Sequence, residues 1–377
     1  MGPDIKGYRL IGRLGAGAMG EVYEGVHSLI GKRVAVKVLR GPGDDALASG
    51  PRLLEEARAV NAIAHPGIVD IFDAGTLPDG RPYLVMERLE GQSLLQHLKA
   101  QKRLPLREVF HVLAGILEPL DAAHRAGVIH RDLKPSNVFL CAVANGLPRV
   151  KLVDFGIARR AGRAEHLTQP LTTLGSLGFM GPEHLAGEVE PASDLYSVGC
   201  LAFQMVTGEP VFPVSSAAQL ADKHLKAKPP PLRLRCPDAP AELEAWVAWL
   251  LEKEPGARPS TAEVALAVLK EAESAAGGIG TTPGGPDFGE LARAFDRRAR
   301  EQQAEKALEP HPTRRSRPVP AVAKAPPAAQ PRTPNGTDLM PAFTPSAPKE
   351  SETLFDDDDD VPAADRPTVL NWKRPDR

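Results

Sequence analysis

Apolar and polar residues alternate along three runs near the start of the chain, Tyr8–Leu14, Glu21–Val26 and Arg33–Leu39. A period of two predicts successive antiparallel strands there, and Tyr83–Glu87 predicts a further one. Between them Arg52–Ala64, rich in Ala, Leu and Glu, predicts a helix. After Gly91 helical spacing takes over, in Leu106–Ala126, Asp194–Thr207, Ala241–Glu252 and Thr261–Glu273. The pattern predicts an α+β chain, with a small β-rich lobe followed by a larger helical one.

Past Ser274 the pattern dissolves. Gly277-Gly278-Ile279-Gly280 and Pro283-Gly284-Gly285-Pro286 come first, and Pro and Ala dominate from Pro310 onward. Such a stretch buries too little apolar surface to offset its ordering entropy, so 273–377 reads as a largely disordered Pro/Ala-rich tail. Within it Phe288, Leu291 and Phe295 stand at i, i+3 and i+7. They predict one short amphipathic helix over 287–307, either solvated or docked on the folded part. Asp356–Asp360 reads as a solvated acidic spacer.

Composition narrows the classes. A net charge of -2 gives no global attraction to nucleic acid or anionic membrane, so any electrostatic recognition is local. Cys141, Cys200 and Cys236 form no CxxC and imply neither a disulfide framework nor a zinc site. Met1–Lys6 has no apolar signal core, and no uncharged run reaches the ~18 residues of a membrane span. A cytoplasmic protein that neither inserts into membranes nor binds nucleic acid is expected.

The motifs supply the chemistry. Gly15-Ala16-Gly17-Ala18-Met19-Gly20-Glu21-Val22 lies between two predicted strands. Missing Cβ atoms let backbone amides approach phosphate oxygens, and a hairpin tip can fold over a triphosphate. A dinucleotide fingerprint would need the last glycine to open a helix, whereas Glu21-Val22-Tyr23 continues a strand. On the next strand, alternation puts Ala35 and Lys37 on one face. Ala35 would admit a base and Lys37 would meet the α- and β-phosphates. A half-buried lysine needs an anionic partner, and Glu56 on the following helix is preferred over Glu55 for that role.

Then comes His130-Arg131-Asp132-Leu133-Lys134-Pro135-Ser136-Asn137. Phosphoryl transfer through a loose transition state needs a carboxylate to orient the attacking hydroxyl, cations for developing charge, and a fixed metal. Asp132 suits the base, Lys134 can reach the γ-phosphoryl, and Asn137 offers a neutral oxygen to a hard cation. Asp154-Phe155-Gly156, after the short apolar strand Val150–Val153, completes the metal pair with Asp154.

Together these elements resemble the eukaryotic-type (Hanks-type) protein kinases over roughly Tyr8–Lys270, in that family's order. The resemblance leans to the bacterial Ser/Thr members, on Gly17–Tyr23, His65-Pro66-Gly67-Ile68-Val69 and Asp154–Arg159, with Lys134 two places after Asp132 as the Ser/Thr pattern. It implies a bilobal kinase domain over 8–272, N-lobe 8–88 and C-lobe 92–272. It also implies ATP and Mg²⁺ (with Mn²⁺ as an alternative), protein substrates bearing Ser or Thr, and self-association for trans-autophosphorylation. The ATP site would comprise Leu14, Gly15, Ala16, Gly17, Gly20, Val22, Ala35, Lys37, Met86 as gatekeeper, Glu87 to Leu89 as hinge, and Phe139.

The same resemblance implies further roles. Val60, Ile71, His130 and Phe155 would form a spine, Asp194 would anchor the catalytic-loop backbone, and Glu183 would pair with Arg258. Arg131 would meet a phosphorylated activation-loop residue, with Thr168 the first candidate, then Thr173, with Thr172 also available. Gly181-Pro182-Glu183 and Gly175-Ser176 depart from the family's Ala-Pro-Glu and Gly-Thr, yet keep the bridging carboxylate and the hydroxyl.

Overall fold

The computed structural model describes residues 4–17, 20–39, 46–155, 174–277, 290 and 293–301. All lie in the first of two units, Met1–Pro312, the second being Thr313–Arg377. Gly156, Thr168, Thr172, Thr173 and most of the predicted tail fall outside the described residues.

Six strands build the first sheet: β1 (Asp4–Ile5), β2 (Tyr8–Gly17), β3 (Gly20–His27), β4 (Arg33–Leu39), β5 (Ile71–Thr76) and β6 (Pro82–Glu87), in the order β1-β2-β3-β4-β6-β5. Every pairing is antiparallel. Central β4 is buried on both faces, which its sequence Arg-Val-Ala-Val-Lys-Val-Leu permits. Val34, Val36 and Val38 pack with Leu10, Tyr83 and Val85 on one side. Ala35 and Leu39 pack with Ala57, Val69, Leu84 and Met86 on the other. Ala57 comes from α1 (Ala46–Asn61), which covers that second face.

A smaller sheet follows, β7 (Gly91–Ser93), β8 (Val138–Cys141) and β9 (Arg149–Leu152), again antiparallel. It rests on a helical body: α2 (Leu94–Gln101), α3 (Leu106–Arg125), α4 (Leu174–Leu177), α5 (Pro182–Leu185), α6 (Pro191–Thr207), α7 (Ala217–Lys226), α8 (Leu232–Arg235), α9 (Ala241–Leu250) and α10 (Ala262–Gly277). A Cβ at Gly115 of α3 would stand 2.7 Å from the Val150 side chain, so this glycine permits the close seating of β9 on α3.

Helix α6 is the axis of this body. It is apolar around most of its circumference and buried accordingly, from Leu195 to Val206. Pro191 in its first turn and Gly208 in the left-handed conformation after Thr207 mark its ends. Four strands of the first sheet coincide with predicted ones to within three residues at each end, whereas β1 and β5 had no predicted counterpart. The helices differ at their ends: α1 begins at Ala46 rather than Arg52, and α10 runs on to Gly277.

Candidate active site

The glycine-rich loop is the tip of the β2–β3 hairpin, with Gly15 opposite Val22 and Gly17 opposite Gly20. Two register shifts in β2, at Leu10/Gly12 and Arg13/Gly15, bend the strand as it approaches the tip. Leu14, Gly15, Ala16 and Gly17 are exposed, and Gly20 is buried. At Gly20, with φ of 153°, a Cβ would lie 2.1 Å from the Val38 carbonyl oxygen, so only glycine lets β3 pass β4 there.

Strand register then assembles the wall beneath. Val22 is opposite Lys37, and Ala35 is opposite Met86. Val22, Ala35, Leu84 and Met86 therefore share one apolar cluster. Glu87 and Leu89 follow half-buried, and Phe139 is half-buried on β8, across from Lys151. Lys37 is buried at 7% exposure. Its ion pair among the described residues is with Asp154, at 2.7 Å, and not with Glu56 as the sequence suggested. Glu56 is half-buried on α1 while Glu55 is exposed, which is the side the preferred assignment placed it on.

The catalytic loop is held from below by Asp194. Its carboxylate accepts from the backbone N–H groups of His130 at 2.8 Å and Arg131 at 2.9 Å, and from His124 Nε2 at 2.8 Å. Burial alone would push this carboxyl up, but the hydrogen bond and charge of His124, with His130 beside it, outweigh that and hold it below the usual range. With its backbone so fixed, the loop accommodates Arg131 at φ 67°. His130 is fully buried, its Nε2 3.2 Å from the Val153 carbonyl and its ring 4.5 Å from that of Phe155. Burial drives its pKa down, against the pull of Asp194 and Asp132, so the ring is neutral. Val60, Ile71 and Phe155 belong to the same apolar cluster.

Above this floor the polar side chains converge. Lys134 Nζ donates to Asp132 Oδ2 at 2.7 Å and to Ser176 Oγ at 2.8 Å. Asn137 Nδ2 donates to the Asp132 carbonyl at 2.8 Å and to the same Oδ2 at 3.1 Å. The backbone N–H of Val153 donates to the Asn137 carbonyl at 3.0 Å, tying the Asp154 segment to the loop. Asp154 sits at φ 56°, one residue from Val153, with its carboxylate turned to Lys37. Asp132, Lys134, Asn137 and Ser176 thus form one connected polar cluster, to which the Lys37–Asp154 pair is tied through the Val153 backbone. Asn137 and Asp154 bring two hard oxygen donors, a set that suits Mg²⁺, which takes its remaining ligands from phosphates and water.

Farther down, Glu183 and fully buried Arg258 form a two-pronged ion pair at 2.9 and 2.8 Å. Burial would raise the Glu183 carboxyl, but hydrogen bonds from Arg258 and Ser193 dominate and lower it. Arg258 also donates to the carbonyls of Glu252, Ala192 and Lys253. One residue escapes the pattern reading altogether. Lys151, the buried cation of β9 between Val150 and Leu152, is 8% exposed, pairs with Glu87 and donates to the Ile68 carbonyl at 3.2 Å. Its signal was a charge inside a run that otherwise reads as core.

The fold and this cluster define a protein kinase domain. A family profile described as "Protein kinase domain" matches residues 8–268, and the chain belongs to that family. It is 41% identical over 254 residues to the serine/threonine-protein kinase Pkn1 of Myxococcus xanthus, covering 66% of this chain and 36% of that one. To the serine/threonine-protein kinase PknA of Mycobacterium tuberculosis it is 37% identical over 260 residues, covering 67% and 58%. The crystal structure of the M. tuberculosis PknI kinase domain superposes with a TM-score of 0.58 at 27% identity, covering 72% of this chain and 98% of that one. The chain therefore matches only 36% to 58% of the length of these two curated relatives. Among the described residues no helix is long and apolar enough to cross a membrane.

Proposed function

We propose that the chain is an ATP-dependent Ser/Thr protein kinase that transfers the γ-phosphoryl group of ATP to protein hydroxyls. The observation that carries this reading is the convergence of Lys134 on both Asp132 and Ser176, at 2.7 and 2.8 Å. That contact ties the catalytic loop to the segment leading to Glu183, the place where a peptide acceptor would lie.

Each residue has a role in the proposal. Lys134 and Asn137 both donate to Asp132 Oδ2, which fixes the plane of the carboxylate. Asp132 orients the acceptor Ser or Thr hydroxyl and takes its proton as the phosphoryl group arrives. Lys134 offers positive charge to the transferring group, and Lys37 holds the α- and β-phosphates once it leaves Asp154. Val22, Ala35, Met86 and Phe139 enclose the adenine, Leu14 to Gly20 cover the phosphates, and the backbone from Glu87 to Leu89 reads the base edge. Asn137 and Asp154 would hold the divalent cation, Mg²⁺ in preference to Mn²⁺, which when bound neutralises phosphate charge. Glu56 would take over Lys37 in the assembled state, and Asp194 and the Glu183–Arg258 pair hold the loop and the platform.

Regulation follows the same logic. Thr168, then Thr173 or Thr172, would be phosphorylated between two copies of the chain and engage Arg131. A cytoplasmic setting, where ATP is plentiful, accords with this reading. Transfer of label from ATP to a generic protein substrate tests it. Asp132→Asn should lower the rate by about 10²–10⁴-fold, since the acceptor loses its base. Transfer that survives both Asp132→Asn and Lys37→Met would refute the site.

A further inference from the structure

The helical segment 293–301 lies past residue 268, where the family match ends. It is nevertheless built into the helical body. Phe295 packs half-buried against the main apolar core. Asp296 Oδ1 accepts from the backbone N–H of Ser260 at 2.7 Å. Arg300 Nη2 donates to the carbonyls of Gly256 at 3.1 Å and Arg258 at 3.3 Å. Asp296 and Arg300, one turn apart, also pair with each other at 2.6 Å.

These contacts share one logic. A carboxylate meets an amide hydrogen and a guanidinium meets two carbonyls, so the helix reads the backbone of a single bend, Gly256 to Ser260. Backbone groups there would otherwise need water or a cap. Asp296 is the stronger anchor, because its side chain is 15% exposed against 46% for Arg300. The bend is also a sensitive place. Arg258 is its central residue, and that side chain, wholly buried, grips Glu183 and three carbonyls. Whatever positions the Arg258 backbone positions the Glu183 bridge. Twelve residues, 278–289, lie between α10 and Glu290, where helical residues are described again. At ~3.5 Å each they reach at most about 40 Å, and the contacts above are all made within one chain.

We propose that residues 293–301 are a brace of the kinase domain, docked in cis on the Gly256–Ser260 bend through Phe295, Asp296 and Arg300. The brace keeps the Arg258–Glu183 bridge, and with it the substrate platform, in register. The folded domain then reaches residue 301. The effect on activity rests on the proposed kinase function; the docking itself does not.

Hydrogen exchange on the full chain separates the two. In Asp296→Ala the Ser260 amide loses its acceptor and should exchange about tenfold faster. Arg300→Ala should give a smaller acceleration across 256–260, and exposed Glu301→Ala should give none. Unchanged Ser260 exchange in Asp296→Ala overturns the brace. Exchange rates that hold on dilution support docking in cis, and rates that rise on dilution overturn it in favour of a second copy. In phosphoryl transfer, Asp296→Ala should raise KM for a protein substrate and leave KM for ATP in place. Faster Ser260 exchange with an unmoved substrate KM would overturn the link to the platform. A wild-type chain without transfer activity would instead count against the proposed function, leaving the exchange result intact.

Discussion

Asp132 and Lys151 illustrate the two kinds of charged residue that this fold buries. Asp132 is 4% exposed and surrounded by donors, Lys134 and Asn137, that come from its own loop. Its role is legible in sequence because both of these donors are within five positions. Lys151 instead reaches from β9 to Glu87 at the end of β6 and to Ile68, and Glu87 Oε1 also accepts from the Asp70 N–H at 3.0 Å. One ammonium thus fastens the segment before Asp154 to the hinge. No local spacing announces a contact made across 64 positions. The Lys37–Asp154 pair is hidden from the sequence for the same reason, since Asp154 is as distant in sequence as it is near in space. Lys151→Met keeps the stem and removes the charge, leaving Glu87 beside an apolar group. Glu87, at 22% side-chain exposure, regains part of its hydration, so a loss of about 1–3 kcal/mol in urea unfolding is expected. Adding Glu87→Gln should recover part of that loss, and strictly additive effects would show that the pair does not act as a unit.

Packing between helices creates a different sensitivity. His224 of α7 is fully buried, its ring edge-on to Phe212 at 5.0 Å and its Nδ1 3.0 Å from the hydroxyl of Tyr196 on α6. Lys253, just beyond α9, donates to that hydroxyl at 3.1 Å and to the His224 carbonyl at 2.8 Å. With Lys253 donating to its oxygen, the Tyr196 hydroxyl is placed to donate to Nδ1 of the neutral ring, and the ammonium nearby opposes a second proton there. Burial and then the nearby Lys253 charge lower the pKa of His224 from 6.5 to about 4. The unfolded chain takes up this proton near pH 6.5 and the native chain does not. Stability therefore falls as pH drops from 6.5 towards 4, by about 3 kcal/mol for this group, and His224 contributes no slope above that window. His130, also held neutral by burial, acts in the same direction. Glu183 and Asp194, both lowered, stabilise at pH above the ordinary carboxylate range and lose that contribution only below it. His224→Gln keeps an acceptor for Tyr196 but cannot titrate. Its urea-unfolding free energy should vary less between pH 6.5 and 4 than that of the parent, and an unaltered slope would assign the acid sensitivity elsewhere.

For the molecule as a whole, the longer strands and helices were readable because the periods of their apolar residues matched the surfaces they cover, while short elements such as β7, α4 and α8 have too few residues to show a period. Arg33–Leu39 is read to the residue, being bounded by turn signals and flanked by partners on both sides. Helix ends were less readable: Ala46 and Gly277 extend their helices through residues without a periodic apolar signal. Of the face predicted for 287–307, Phe295 lies among the described residues and packs on the core, Phe288 and Leu291 lie outside them, and the acceptor of Asp296 and Arg300 is a backbone bend, which has no sequence signature. The Lys37–Asp154 pair, which links the first sheet to the segment after β9, leads to a test of the whole molecule. Phosphates drawing Lys37 away from Asp154 would free that carboxylate for a cation, so nucleotide and metal should bind together and stabilise the fold jointly. With the nucleotide–metal complex at a hundred times its dissociation constant the gain is about 2.7 kcal/mol, which for a domain of this size raises Tm by roughly 5 °C. Chelating the divalent ion should remove most of the rise. Lys37→Met should weaken it by losing the phosphate contact, and Asp154→Asn should make it insensitive to the metal. An Asp154→Asn chain whose Tm still rises fully with ATP and falls back on chelation would place the metal elsewhere.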